Sequence, residues 1–241
     1  HYDRYTISRN LFKSLGGDTL CFEEINHDLK LAFRYTWSTS REYGFIRQCE
    51  IENLATESTE LELLDGLRNI LPAGTPNHIQ SVSSNLVDAY KWTELDVESG
   101  LASFSLYAGI TDRAEPSESM KANTVFCLGL PHPKVLISST QLGRFRRGKE
   151  VQQENHVRGV RGAYLVNATL ELAAGTSQSW VFAADVERTQ SQVLGLQRQL
   201  MNSKEVSHSI DQSVRQGIEA LNRLMAASDA IQTTAEDPVS A

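Results

Sequence analysis

The chain has 241 residues, 40% hydrophobic and 22% charged, a composition that fits one large globular domain or two small ones and excludes a disordered polymer. A net charge of −7 argues against the basic face of a nucleic-acid binder, and no apolar run approaches the length of a membrane span. Cys21, Cys49 and Cys127 are far apart and form no CxxC pair, so neither a zinc site nor a disulfide framework is expected, and a reducing, cytoplasmic compartment is the simpler reading.

The first two-thirds reads as strands. Leu29, Leu31, Phe33, Tyr35 and Trp37 alternate with Lys30, Ala32, Arg34 and Thr36, the period of a strand with one buried face. Phe45–Asn53 and Thr59–Leu64 flank a polar stretch suited to a hairpin loop. Leu67–Val82, with Pro72, Gly74 and Pro76, predicts a long irregular loop. Leu101–Ile110 alternates again, and Val125–Leu130 and Val135–Ser138 are short apolar runs around a Pro-His-Pro turn. Gln141–Gly162 predicts a second irregular loop, carrying Arg144, Arg146, Arg147, Lys149, Arg158 and Arg161. Tyr164, Val166, Ala168, Leu170 and Leu172 alternate, and Ser179–Val186 returns after a turn at Ala174-Gly-Thr176. Many short strands with turn chemistry between most of them predict a sandwich.

The period changes near Glu187. Val193, Leu196 and Leu200 share a face of a first helix. Ser203 can cap a second, with Val206, Ile210, Val214, Ile218, Leu221 and Met225 at steps of three and four. Such a stripe must be buried, on the sandwich, on the neighbouring helix or on a further domain. The polar tail 233–241 reads as a linker or frayed end.

Sites of familiar chemistry are scarce in the sequence. There is no GxSxG elbow, the six histidines are scattered without HxH or HExxH spacing, and neither GxGxxG nor GxxxxGK[ST] occurs. No catalytic residue, metal ligand or cofactor is therefore assigned. The basic run Arg144–Lys149 reads first as a solvated loop whose arginines pair with local carboxylates, and second as an anion site. Asp65, Asp88, Asp112 and Glu115 lie in segments that draw suspicion, but sequence gives no carboxylate separation that would make an acid/base pair. Among candidate sugar-stacking aromatics, Trp180 sits in an apolar strand and reads as core, whereas Trp92 has a mixed polar setting. Asn167-Ala-Thr169 is a formal glycosylation sequon inside a strand and reads as chance.

Several segments resemble the family of bacterial proteins related to cellobiose phosphorylase: Leu63-Leu-Asp-Gly-Leu-Arg-Asn-Ile-Leu-Pro-Ala-Gly-Thr75, Ser84-Asn-Leu-Val-Asp-Ala-Tyr-Lys-Trp92, Asp112-Arg-Ala-Glu-Pro-Ser-Glu118, Arg158-Gly-Val-Arg-Gly-Ala-Tyr-Leu-Val166 and Ala226-Ala-Ser-Asp-Ala-Ile-Gln-Thr233. The likeness implies a mainly β chain: a galactose-mutarotase-like β super-sandwich over residues 1–186, then two amphipathic α-helices within a helical linker, 187–241, leading to an (α/α)6 catalytic barrel that this sequence does not include. It implies inverting phosphorolysis of a β-linked oligosaccharide, with inorganic phosphate as co-substrate of the whole enzyme, and a homodimer to which the two long loops contribute. Within the quoted segments Arg68, Asn69, Asp88, Tyr90, Lys91, Trp92, Arg113 and Glu115 are the candidate substrate-binding residues. The chain begins with His1, so a processed or excised product is expected. Two alternatives from other classes remain: a carbohydrate-binding module, and a stand-alone aldose epimerase using His78 or His156 with Glu94 or Glu115 as acid and base.

Overall fold

A computed structural model describes residues 5–75, 77–82, 84–107 and 120–228. In chain order these form β1 (Ile7–Lys13), β2 (Leu20–Asn26), β3 (Leu31–Ser40), β4 (Gly44–Asn53), β5 (Thr59–Ile70), α1 (Asn77–Val82), α2 (Ser84–Tyr90), β6 (Lys91–Asp96), β7 (Leu101–Leu106), β8 (Lys121–Leu128), β9 (Lys134–Ser138), α3 (Leu142–Phe145), β10 (His156–Arg158), β11 (Gly162–Leu172), β12 (Ser177–Thr189), α4 (Gln190–Leu200) and α5 (Ser203–Ala227). The chain is mainly β, as expected. Nine strands pair antiparallel in the order β1-β2-β3-β4-β12-β8-β7-β6-β10, and β5-β11-β9 form a second, three-stranded sheet.

The two sheets face each other across the main core. Tyr164, Val166, Ala168, Leu170 and Leu172 of β11 all point into it, meeting Phe104, Val125, Trp180 and Phe182 of the large sheet. Their alternation was readable because every second residue of a strand shares a face. The intervening Ala163 and Leu165 are buried too, beneath α3 and its loop, so β11 is covered on both sides.

The outer face of the large sheet carries the two helices. Leu196 and Leu200 of α4 and Val206, Ile210 and Val214 of α5 pack on Ile46, Leu101, Phe126 and Ala183. The predicted stripe is thus buried on the sandwich, with Leu221 and Met225 only half-covered beyond it. The strand-to-helix change lies at Thr189 rather than Val186: Thr189 ends β12 and caps α4, accepting from Gln192 N while Gln192 Oε1 accepts from Thr189 N at 2.8 Å. This reciprocal pair satisfies two backbone donors that the helix cannot satisfy itself. Asn202, not Ser203, is the N-cap residue of α5.

The two expected irregular loops are more ordered than sequence suggested. Leu67–Ile70 completes β5, because its partner β11 continues to Gly162 and supplies backbone hydrogen bonds. Short helices α1 and α2 follow. The second loop contains α3 and β10 and is pinned by one side chain. Glu154 accepts from Ile137 N (3.0 Å), Ser138 N (2.9 Å), Ser138 Oγ (3.1 Å), Thr140 Oγ1 (3.2 Å) and Gln141 Nε2 (2.8 Å). Gln141 in turn pairs with both backbone groups of Gln152, at 2.8 and 2.9 Å. Glu154→Ala is expected to lose about 2–3 kcal/mol, since hydrogen bonds to an ionised acceptor are the strong ones. Amide hydrogen exchange across residues 139–153 should speed up with it, and unchanged exchange would show that the loop is held otherwise.

Asn167 is buried, and its amide donates to Glu62 Oε1 and to the Leu63 carbonyl. The sequon is therefore closed to a glycan in the folded chain. No helix among the described residues is long and apolar enough to cross a membrane.

Candidate functional site

Strand β6 separates the predicted residues by the alternation of its side chains. Lys91 turns inward and is 2% exposed. Its ammonium donates to Asp88 Oδ1 at 2.7 Å and Gln80 Oε1 at 2.6 Å, joining α1, α2 and β6. A buried, paired ammonium of this kind holds structure. Tyr90 contributes its carbonyl, which accepts from Tyr107 N at 2.7 Å. Arg68 and Asn69 lie at the end of β5, both exposed. Asn69 adopts a left-handed φ of 58°, and Arg68 Nε reaches Ser139 Oγ at 3.4 Å. Arg113 and Glu115, with the whole Asp112–Glu118 segment, lie outside the described residues, as do residues 229–233 of the last similar segment. The six predicted residues that are described therefore do not form one cluster.

Trp92 does lie in a cluster, on the outward face of β6 at the β10 edge. Arg158 is its cross-strand partner, and His156 is the partner of Glu94. The Arg158 guanidinium carbon sits 3.6 Å from the Trp92 ring centroid, the His156 ring 4.6 Å away, and the Tyr107 ring stacks at 5.9 Å and 22°. A cation over an indole face is attracted by the ring quadrupole. Tyr107 itself is 73% exposed. Beside this stack a cleft of about 300 Å³ runs toward α4, lined by Glu94, Asp96, Ser103, Asn155, His156 and Gln197. Asp96 is committed to the β6–β7 turn, where its carboxylate accepts from Ser99 N and Oγ. Glu94 is exposed.

The tautomer of His156 follows from its neighbour. Arg158 Nε–H points at His156 Nε2 over 3.2 Å. A guanidinium N–H can only donate, so Nε2 accepts and the ring proton lies on Nδ1. The lone pair that a general base would use is occupied.

A second cleft, about 410 Å³, lies beside α5 and includes Arg34, Thr36, Gln48, Glu50 and Asp211. Arg34 there bridges Glu23 (2.5 Å), Glu50 (3.0 Å) and Glu52 (2.7 Å). Hydrogen bonds donated by Asn10 and Arg34 hold the Glu23 carboxyl below its ordinary range, and the acceptors Glu52 and Glu23 raise the Arg34 guanidinium.

Sequence reasoning missed a buried ion pair that links the two sheets. Arg47 of β4 and Asp65 of β5 form an ion pair of 2.8 Å with side chains 8% and 12% exposed. Trp180 Nε1 donates to the other Asp65 oxygen at 3.0 Å, and Arg47 lies over Tyr35 at 4.5 Å. Trp180, expected in the core, is there, and its indole N–H has the partner a buried donor needs. Burial is the first cause raising the nearby Cys49 thiol, and the Asp65 charge adds to it.

No family model matches the chain, and no curated protein matches it. Solved structures do. A protein described as a kojibiose phosphorylase from the human microbiome is 8% identical, with a TM-score of 0.44 over 93% of this chain and 26% of its own. A bacterial glucoamylase complexed with acarbose is 7% identical, with a TM-score of 0.42 over 87% of this chain and 28% of its own. A heparinase III is 8% identical, with a TM-score of 0.36 over 76% of this chain and 22% of its own. The chain thus spans about a quarter of the length of these structures, and likeness at this distance assigns neither family nor activity.

Proposed function

We propose that this chain is a non-catalytic β-sandwich domain of a carbohydrate-active enzyme, and that it positions saccharide at the β6–β10 edge. The observation that carries the reading is the Tyr107–Trp92–Arg158 stack beside a polar cleft. Exposed rings take the apolar face of a sugar, while Glu94, Asn155 and Gln197 offer acceptors and donors for its hydroxyls. In the finer form of the proposal the whole enzyme carries out inverting phosphorolysis of β-glucosides in the cytoplasm. An (α/α)6 domain supplies the general acid, inorganic phosphate is co-substrate, and two copies assemble. This finer form rests on the similarity of Leu63–Thr75 and Ser84–Trp92 to the cellobiose-phosphorylase relatives.

The test is a calorimetric titration of the 241-residue chain with β-linked gluco-oligosaccharides. Tyr107→Ala, an exposed change, is expected to weaken binding roughly tenfold, equivalent to about 1.4 kcal/mol. Binding that ignores both Tyr107→Ala and Trp92→Ala would sink the assignment of the site.

The epimerase alternative draws support from the pairing of His156 with Glu94, both exposed on one face. The Arg158 hydrogen bond counts against it, because Arg158 must leave before His156 can take a proton. Polarimetry separates the two readings: the domain reading expects no acceleration of aldose mutarotation by the chain.

A further inference from the structure

The α3 loop carries four cationic side chains, Arg144, Arg146, Arg147 and Lys149, all exposed. The residues from 144 to 149 lie within about 10 Å along the chain, on the scale of one Debye length at 0.1 M salt. In a chain of net charge −7 such a run should be paired with carboxylates; the one beside it, Glu150, feels the Arg144 charge but is engaged elsewhere. Among the described residues, Arg146, Arg147 and Lys149 have no ion pair, and Arg144 donates to the Glu150 backbone carbonyl at 3.2 and 3.3 Å. The carboxylate of Glu150 is taken by Lys134 at 2.6 Å. Arg68 adds a further cation beside the loop, through its contact with Ser139.

The segment under these charges is fixed. Leu142, Phe145 and Val151 pack on the outer face of the three-stranded sheet, and Glu154 and Gln141 tie both ends of the loop. The mutual repulsion of the cations is therefore held in place rather than relaxed by loop movement, which is the arrangement of a preorganised anion site. Guanidinium forks match planar and tetrahedral oxyanions in two-point geometry.

We propose that the α3 loop is an oxyanion-recognition surface, separate from the Trp92 cleft, whose ligand is a saccharide bearing sulfate, phosphate or carboxylate groups. The saccharide part rests on the carbohydrate reading above, and the anionic part rests on the loop alone. A nucleic acid is disfavoured because Phe145 is turned into the apolar cluster, leaving no ring for base stacking, and because the acidic remainder of the chain repels a long polyanion.

The test titrates the full 241-residue chain with a sulfated oligosaccharide, its unsulfated counterpart, inorganic sulfate and a duplex DNA of matched charge. The sulfated oligosaccharide is expected to bind, more weakly as salt rises, with at least about a tenfold loss in Arg146→Glu/Arg147→Glu. Lys204→Glu, an exposed charge change on α5, controls for net charge and should alter binding less than threefold. Unsulfated oligosaccharide binding that survives in the double variant separates this surface from the Trp92 site. Binding of inorganic sulfate as tight as that of the oligosaccharide, equal or tighter binding of DNA, or an unchanged affinity in the folded double variant would each overturn the proposal. So would failure of the sulfated oligosaccharide to bind the folded chain.

Discussion

Asp65→Ala is expected to destabilise the fold by about 3–5 kcal/mol, the cost of leaving a buried charge without its partner. The mutation strips the 2.8 Å ion pair from Arg47 and the acceptor from the Trp180 indole at once. Because β4 and β12 belong to one sheet and β5 to the other, Asp65 is a polar clamp across the sandwich. A domain of this size has roughly 5–15 kcal/mol to lose, so the midpoint of urea unfolding should fall sharply. A double change to apolar residues, Arg47→Met with Asp65→Leu, should recover much of the loss, since the penalty lies in the unpaired charge. An Asp65→Ala protein within about 1 kcal/mol of the parent would show that water reaches Arg47 and compensates it.

The neighbouring Gly66→Ala is expected to cost at least about 3 kcal/mol, or to prevent folding. Gly66 has φ +152°, and an added Cβ would lie 2.0 Å from the Tyr164 carbonyl oxygen and 2.8 Å from the Leu165 Cα. Both obstacles are backbone of a strand covered on either side, so neither can move aside. Gly74→Ala is the useful contrast: it also has a positive φ but nothing within 4 Å, and only the smaller strain of a left-handed residue applies. Equal effects at the two glycines would mean that conformation rather than close approach is decisive at Gly66.

These two residues show what sequence could and could not disclose. Asp65 and Gly66 were visible as part of a segment with a family likeness, but Asp65 read only as one carboxylate among several. Its partners are 18 and 115 positions away, and no local pattern encodes such a contact. The alternation of β3 and β11 and the stripe of α5 were legible because each has one apolar side to bury. β1 and β2 were not: Leu11, Phe12 and Leu20 are exposed, so no buried face imposes a period on Ile7–Lys13 or Leu20–Asn26. Leu29, read as the start of β3, lies exposed in the preceding turn. β6 escaped notice because its outward positions are Trp92, Glu94 and Asp96, which look like a loop until the pairing with β7 and β10 is known. Trp92 was singled out for its polar setting, and the pairing of His156 with Glu94 supplies that setting from a strand some sixty residues on. The arginines of the α3 loop were expected to be neutralised locally. Glu150, the acidic residue next to them in sequence, pairs with Lys134, and Glu154 serves the backbone amides of Ile137 and Ser138.

The pairing pattern also sets the order in which the molecule can form. β3 and β4 can join as a hairpin as soon as both exist, but β5 has no partner until β11 arrives roughly a hundred residues later, and β4 waits longer still for β12. At ribosomal speeds of about 5–20 residues per second, the apolar sides of β4 and β5 stay uncovered for roughly 5–20 s during synthesis. Non-local antiparallel pairing of this kind is slow even in the finished chain. The nascent protein is therefore most exposed to misassembly between the synthesis of β5 and that of β11 and β12, which end the interval for β5 and β4 respectively.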